Sequence, residues 1–131
     1  MAKTPRSKKA KGTRFEKEVA KRLEDVLGDY GVEATRMVMS GAVDRFKGDI
    51  FTNLPLMIEC KNQEKLSWWK AWHQADDTSI GSDKIPMLVV TRNFEENLCL
   101  LRFEDMLFFM ELAIQSGWCE NLRKTKNENK E

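Results

Sequence analysis

An α/β fold, with a mixed central β-sheet flanked by helices, is what the order of hydrophobic patterns predicts. Three observations carry it. Residues 13–27 place Phe15, Val19, Ala20, Leu23, Val26 and Leu27 on one helical stripe. Five short runs rich in strand formers follow, separated by Gly, Pro, Asn and Asp. Two further helical stretches interrupt and end the series, giving the order α-β-β-β-α-β-β-α, a pattern that implies helices packed on a mixed sheet.

Each element has its own reason. Thr13, with Glu16 three residues on, forms a capping box that would start the first helix, and Gly28 or Gly31 would stop it. Val32–Met39 reads as a strand, and residues 40–47 as a polar loop. Gly48–Thr52 and Leu56–Lys61 are short strands joined at Asn53-Leu54-Pro55. Ser67 would cap a second helix, along which Trp68, Ala71, Trp72 and Ala75 recur at helical spacing. Pro86–Arg92 and Asn97–Phe103 are two more strands, and a last helix would run from about Glu104 to Ser116, ending before Gly117.

With 131 residues, 41% of them hydrophobic and 33% charged, the chain is expected to build one core under a charged surface. The expected organisation is a disordered basic arm over 1–11, one domain over 12–122 and a disordered tail over 123–131. The longest apolar runs, Ile85–Val90 and Met106–Met110, are far short of the ~18 residues of a membrane span. The N-terminus lacks the apolar stretch of a secretory signal. Cys60, Cys99 and Cys119 contain no CxxC pair, so a reducing, intracellular and cytoplasmic setting is expected, without a disulfide framework or zinc site. Charge is unevenly spread. Lys3, Arg6, Lys8, Lys9, Lys11 and Arg14 bring +6 to residues 1–14 with no acid, so against a net charge of +1 the remainder carries −5. A basic arm on a mildly acidic body is a layout of nucleic-acid-binding proteins.

The chemistry centres on Gly48-Asp49 and Ile58-Glu59-Cys60-Lys61. Alternation along a strand puts Leu56, Ile58 and Cys60 on one face and Met57, Glu59 and Lys61 on the other. An acid and a lysine then stand together at the end of an apolar strand, with Asp49 opposite on the preceding one. Two converging carboxylates repel each other, and a divalent cation between them relieves this. An all-oxygen donor set favours Mg²⁺, with Mn²⁺ able to substitute. A solvated face on an edge strand is the alternative for the Glu-x-Lys triplet alone. At ~100° per residue, Glu16 points about 33° from the mean of the first helix's apolar stripe and Glu18 about 127° from it. Glu16 is therefore either the capping partner or a third carboxylate of the same site.

Taken in order, Lys11–Glu16, Gly48-Asp49, Ile58–Lys61 and Ile85–Val90 resemble the PD-(D/E)xK nuclease superfamily. Within it they are most similar to the archaeal-type Holliday junction resolvases, which viruses also carry. The resemblance spans about residues 11–103. It implies a restriction-endonuclease-like core with metal-binding Asp49 and Glu59, the Cys60 carbonyl beside them, catalytic Lys61 and a helix-one glutamate at Glu16. It also places an activity-linked arginine at Arg36, a DNA-meeting loop residue at Ser40 and a glutamine reaching the site at Gln74. Gly48 replaces the proline of the superfamily name, and Lys17 stands where these resolvases often have arginine. Snorkelling at a sheet edge is the other reading of Arg36, which shares a strand face with Ala34 and Val38.

The resemblance implies a Mg²⁺-dependent endonuclease that nicks four-way DNA junctions symmetrically as a homodimer, with no organic cofactor. The apolar Met106–Met110 segment is a candidate for part of the dimer interface. Phosphate contacts are expected from Lys8, Lys9, Lys11, Arg14 and Lys17. Trp69, off the apolar stripe, is the stacking candidate, whereas Trp68 and Trp72 are expected in the core. His73 is expected at the surface. A flap or duplex nuclease on the same core, and a catalytically idle DNA-binding module, are the competing readings.

Overall fold

The computed structural model describes residues 5–38 and 48–122, the side chains of Pro5 and Arg6 excepted. The elements are α1 (Pro5–Leu27), β1 (Ala34–Arg36), β2 (Ile50–Thr52), β3 (Leu56–Asn62), α2 (Trp68–Ser79), β4 (Ile85–Thr91), β5 (Leu98–Leu100) and α3 (Phe103–Gln115). Their order is the predicted one. A 3-10 turn, Gly28–Tyr30, follows α1, and Gly31 reverses the chain at φ 88°, a left-handed conformation open to glycine at little cost.

The strands form one sheet in sequence order, β1-β2-β3-β4-β5. The β3–β4 pair alone is parallel, because α2 carries the chain back between them, and the other three pairs are antiparallel. The register places Glu59 beside Leu88 and Lys61 beside Val90. Leu88 and Val90 pack with Ala71 and Ala75 of α2 and with partly buried Trp72, so this face of the sheet belongs to α2. On the opposite face Ile58 and Ile50 are fully buried, and Phe15, Val19 and Ala20 of α1 are buried with them. Two-sided cover explains why the first residues of β3, Leu56, Met57 and Ile58, are all buried, as expected of a strand next to a parallel neighbour.

Two expectations are corrected. The first helix does not begin at a Thr13 capping box: it starts at Pro5, so the basic segment up to residue 11 forms its first turns from that point. Lysine and alanine are good helix formers, and Pro is tolerated in the first turn. The contacts divide the chain into two compact units, Met1–Leu100 and Leu101–Glu131. Trp68 is half-exposed instead of core. Of the expected strand Val32–Met39, Ala34–Arg36 pairs with β2, and Met39 lies outside the described residues. Among the described residues no helix is long and apolar enough to cross a membrane.

Leu88, with no exposed surface, lies between the sheet and α2. Leu88→Ala is expected to destabilise the protein by about 2–5 kcal/mol through lost burial and a residual cavity, as read by urea denaturation.

Candidate active site

The site forms where β2 and β3 diverge. Beyond Ile50↔Ile58 the two strands share no further residue pair. Asp49, just before β2, spans the opening. Its N–H donates to the Ile58 carbonyl at 2.9 Å, and its carbonyl accepts from the Met37 N–H at 2.8 Å. Its carboxylate Oδ2 accepts the Cys60 N–H at 2.8 Å, replacing the strand that has turned away. The side chain is thereby fixed at the edge of β3, next to Glu59.

Glu59 projects toward α2 from the middle of β3. Its carboxyl is pushed up to about 8, first by burial, then by the Asp49 charge and by a side-chain hydrogen bond with Asp49. Thr78 of α2 and the Lys61 charge pull the other way. The Thr78 hydroxyl also lies 2.8 Å from the Gln74 carbonyl, so its one proton serves one acceptor at a time. Thr78 went unnoticed in the sequence because its role depends on α2 lying over β3.

Glu16 approaches from α1 on the other face. It accepts a hydrogen bond from Arg36 Nε at 2.8 Å, within a half-buried ion pair. Arg36 Nη2 also reaches the Thr13 hydroxyl at 3.4 Å. Thr13 and Glu16 are thus linked through Arg36, not through a capping box, and Arg36 is drawn inward to α1, not outward along the sheet edge. Burial, then the Asp49 charge, raises the Glu16 carboxyl above its ordinary value, and Arg36 opposes both. The buried Cys60 thiol is pushed far up, first by burial and then by Asp49, Glu16 and Glu59, so it stays protonated. What Cys60 offers a cation is its carbonyl oxygen.

Among the described residues no group of three or more His, Cys, Asp or Glu residues is arranged to hold a metal ion. The observed set is a pair, Asp49 and Glu59, in which burial first and the Asp49 charge second favour the protonated form of Glu59. Mg²⁺ is commonly held by one or two carboxylates, with water and substrate phosphate completing its shell. The oxygen donors fit such an ion, which would take the place of the proton.

A cleft of about 670 Å³ opens between α1 and the end of β3, lined by Lys8, Lys11 and Gly12 of α1 and by Cys60–Lys65. Lys8, Lys9, Arg14 and Lys17 are exposed. Lys11 is buried, and its Nζ sits 3.2 Å from Glu64 Oε2. Trp69 is exposed, its ring tilted against exposed His73 with centroids 6.1 Å apart. Gln74 is also exposed. Ser40 lies outside the described residues. Glu64 is a second residue the motif did not single out: its Oε2 accepts both from Lys11 and, at 2.8 Å, from the Asn93 N–H.

The family model described as "Phage putative PDDEXK endonuclease" matches residues 7–130. A 1.6 Å structure of Archaeoglobus fulgidus Hjc, a Holliday junction resolvase from an archaeal hyperthermophile, is similar at 22% identity and a TM-score of 0.45, over 69% of this chain and 76% of that one. No curated protein matches the chain.

The raised Glu59 carboxyl makes stability depend on pH. An unfolded glutamate ionises near 4.5, while the folded one keeps its proton to about 8. In chelator, this contribution is full below 4.5 and lost as pH rises toward 8. Melting temperature should fall across that window in the wild type, and Glu59→Gln should flatten the slope.

Proposed function

The chain belongs to the phage PDDEXK endonuclease family, and we propose that it is a divalent-metal-dependent DNA endonuclease that nicks four-way junctions symmetrically as a homodimer. The observation that carries the nuclease reading is the Asp49–Glu59 carboxylate pair with Lys61 beside it. Nothing in a solvated sheet edge calls for two acids sharing one proton, because each would ionise in water.

Asp49, Glu59 and the Cys60 carbonyl are the groups that would hold Mg²⁺ or Mn²⁺. When bound, such an ion lowers the pKa of a coordinated water and offsets charge on phosphate oxygens. The protein's own contributions follow from the geometry. Asp49 is oriented by the Cys60 N–H. Glu59 is buried enough to hold a proton until a cation displaces it. Lys61, two residues along the same strand face, supplies a fixed positive charge where negative charge builds up on the phosphate. Glu16, oriented by Arg36, faces the pair from α1 and would accept hydrogen bonds from ordered water.

The DNA path is proposed along the cleft beneath the first turns of α1, with exposed Lys8, Lys9, Arg14 and Lys17 on phosphates. Ser40, Gln74 and Trp69 keep their proposed DNA contacts. Junction specificity is supported by the sequence motifs shared with archaeal-type resolvases. Resolving a junction takes two matched nicks, and a two-fold dimer supplies two equivalent sites. The dimer reading is supported by α3, an apolar helix with no buried residue, on which Phe103, Leu107, Phe108 and Leu112 are 42–67% exposed. A second copy would cover this surface.

A synthetic four-way junction tests the assignment. Wild type with Mg²⁺ should nick it, and excess chelator should stop the reaction. Asp49→Asn should abolish nicking while binding persists, and Lys61→Met should slow it by about a hundredfold or more with affinity little changed. Nicking by the Asp49 variant at wild-type rate would refute the mechanism. Faster cutting of flaps or linear duplex would replace the junction as substrate, and binding without nicking by wild type would leave only a DNA-binding module.

If Lys8 and Lys9 touch phosphates, replacing both with glutamine should flatten the plot of log affinity against log salt by about 2 units. An unchanged slope would place the DNA elsewhere.

A further inference from the structure

The turn between β4 and β5 puts Phe94 in an unusual place. The Glu95 N–H closes on the Arg92 carbonyl at 3.2 Å, making Phe94 the third residue of a tight turn. Its φ is 63°, in the left-handed region that this turn position reserves for glycine or asparagine. Its side chain is completely exposed. A phenylalanine here incurs backbone strain and gains nothing from burial, so folding does not account for it.

The turn is also firmly held. The Thr91 hydroxyl donates toward the Glu95 carbonyl at 3.2 Å. The Asn93 N–H donates to Glu64 Oε2 at 2.8 Å, and the same oxygen receives Lys11 of α1. The Gln63 N–H donates to the Thr91 carbonyl at 3.2 Å. Gln63 and Glu64 directly follow the β3 strand that carries Glu59 and Lys61. Glu64 therefore links three elements: the basic turn of α1, the end of the site-bearing strand and the turn that presents Phe94. Beside the tip, a cleft of about 350 Å³ is lined by half-exposed Trp68 together with Glu64, Arg92, Glu95 and Glu96. Its acids disfavour a phosphate, whereas an aromatic face with carboxylate acceptors suits a nucleobase and its exocyclic amines.

We propose that Phe94 is a base-stacking site, which receives an unstacked nucleobase of the DNA while the phosphate backbone runs past Lys61. This deepens the nuclease reading and rests on it. A branch point, where stacking is interrupted, offers such a base at least cost, and a rigid tip tied to the catalytic strand would hold the branch at a fixed distance from the cut.

The test uses a four-way junction carrying 2-aminopurine at the branch point and a linear duplex carrying it internally. Binding and fluorescence are measured in the Asp49→Asn background, and nicking in the otherwise wild-type protein. Phe94→Gly should leave the melting temperature unchanged or raise it, because the strain is relieved. The same change should weaken junction binding by about 5- to 100-fold, alter the 2-aminopurine signal and slow nicking, with duplex binding little affected. Phe94→Tyr should restore binding and signal. If wild type nicks the junction and Phe94→Gly matches it in affinity, fluorescence and rate, the stacking site is wrong and the nuclease reading stands. If wild type neither binds nor nicks DNA, both fall.

Discussion

One hydrogen bond organises the site: the Cys60 N–H donates to the Asp49 carboxylate at 2.8 Å. It sits where β2 leaves β3, and it satisfies a backbone donor that the departing strand leaves behind. The same residue bonds through its backbone to Met37 and Ile58. Asp49 thus completes the local pairing of three strands with one residue. Its carboxylate cannot swing away from Glu59 without giving up that bond, and the two acids are forced into a proximity that neither would adopt in water. The raised Glu59 carboxyl follows in part from that proximity.

α1 is held against the sheet by charge as well as by its apolar face. Phe15, Val19 and Ala20 supply burial. Arg36 grips Glu16 and Thr13, Glu24 accepts the Ala34 N–H at 2.9 Å, and Lys11 reaches Glu64. These bonds are spaced along the helix, from its basic first turns to the end nearest β1. Partly buried hydrogen bonds involving charged groups are stronger than neutral ones, which makes them effective at fixing the rotation of a helix. That rotation decides which carboxylate approaches Asp49. Glu16 faces the site, while Glu18 lies at the surface in reach of the Asn97 amide.

Much of the fold was legible because the sheet needs alternation and the helices need a stripe, and both are local patterns. The order of the elements, the burial of Ile58, and the placement of Glu59 and Lys61 on the face opposite Leu56, Ile58 and Cys60 all follow from period 2 and period 3.6. Helix α1 shows where local signals mislead. Thr13 and Glu16 have the spacing of a capping box, but the run before them is rich in Lys and Ala, and the helix passes straight through. Lys11 reads as one more basic residue of an arm, yet in a helix it falls four residues before Phe15 and so on the buried side.

By itself the sequence determined the α/β order, the buried Leu56–Ile58–Cys60 face of β3 and the shared opposite face of Glu59 and Lys61. Each is a consequence of side-chain direction along a single element. Tertiary structure alone decided the partners. Arg36 chose Glu16 and Thr13, Thr78 came to Glu59, and Glu64 joined α1 to the β4–β5 turn. These residues are separated by up to 53 positions, and nothing in their local spacing selects one partner over another. The choice is made by the packing of α1 and α2 on opposite faces of the sheet, which sets the few polar groups within reach of each buried charge.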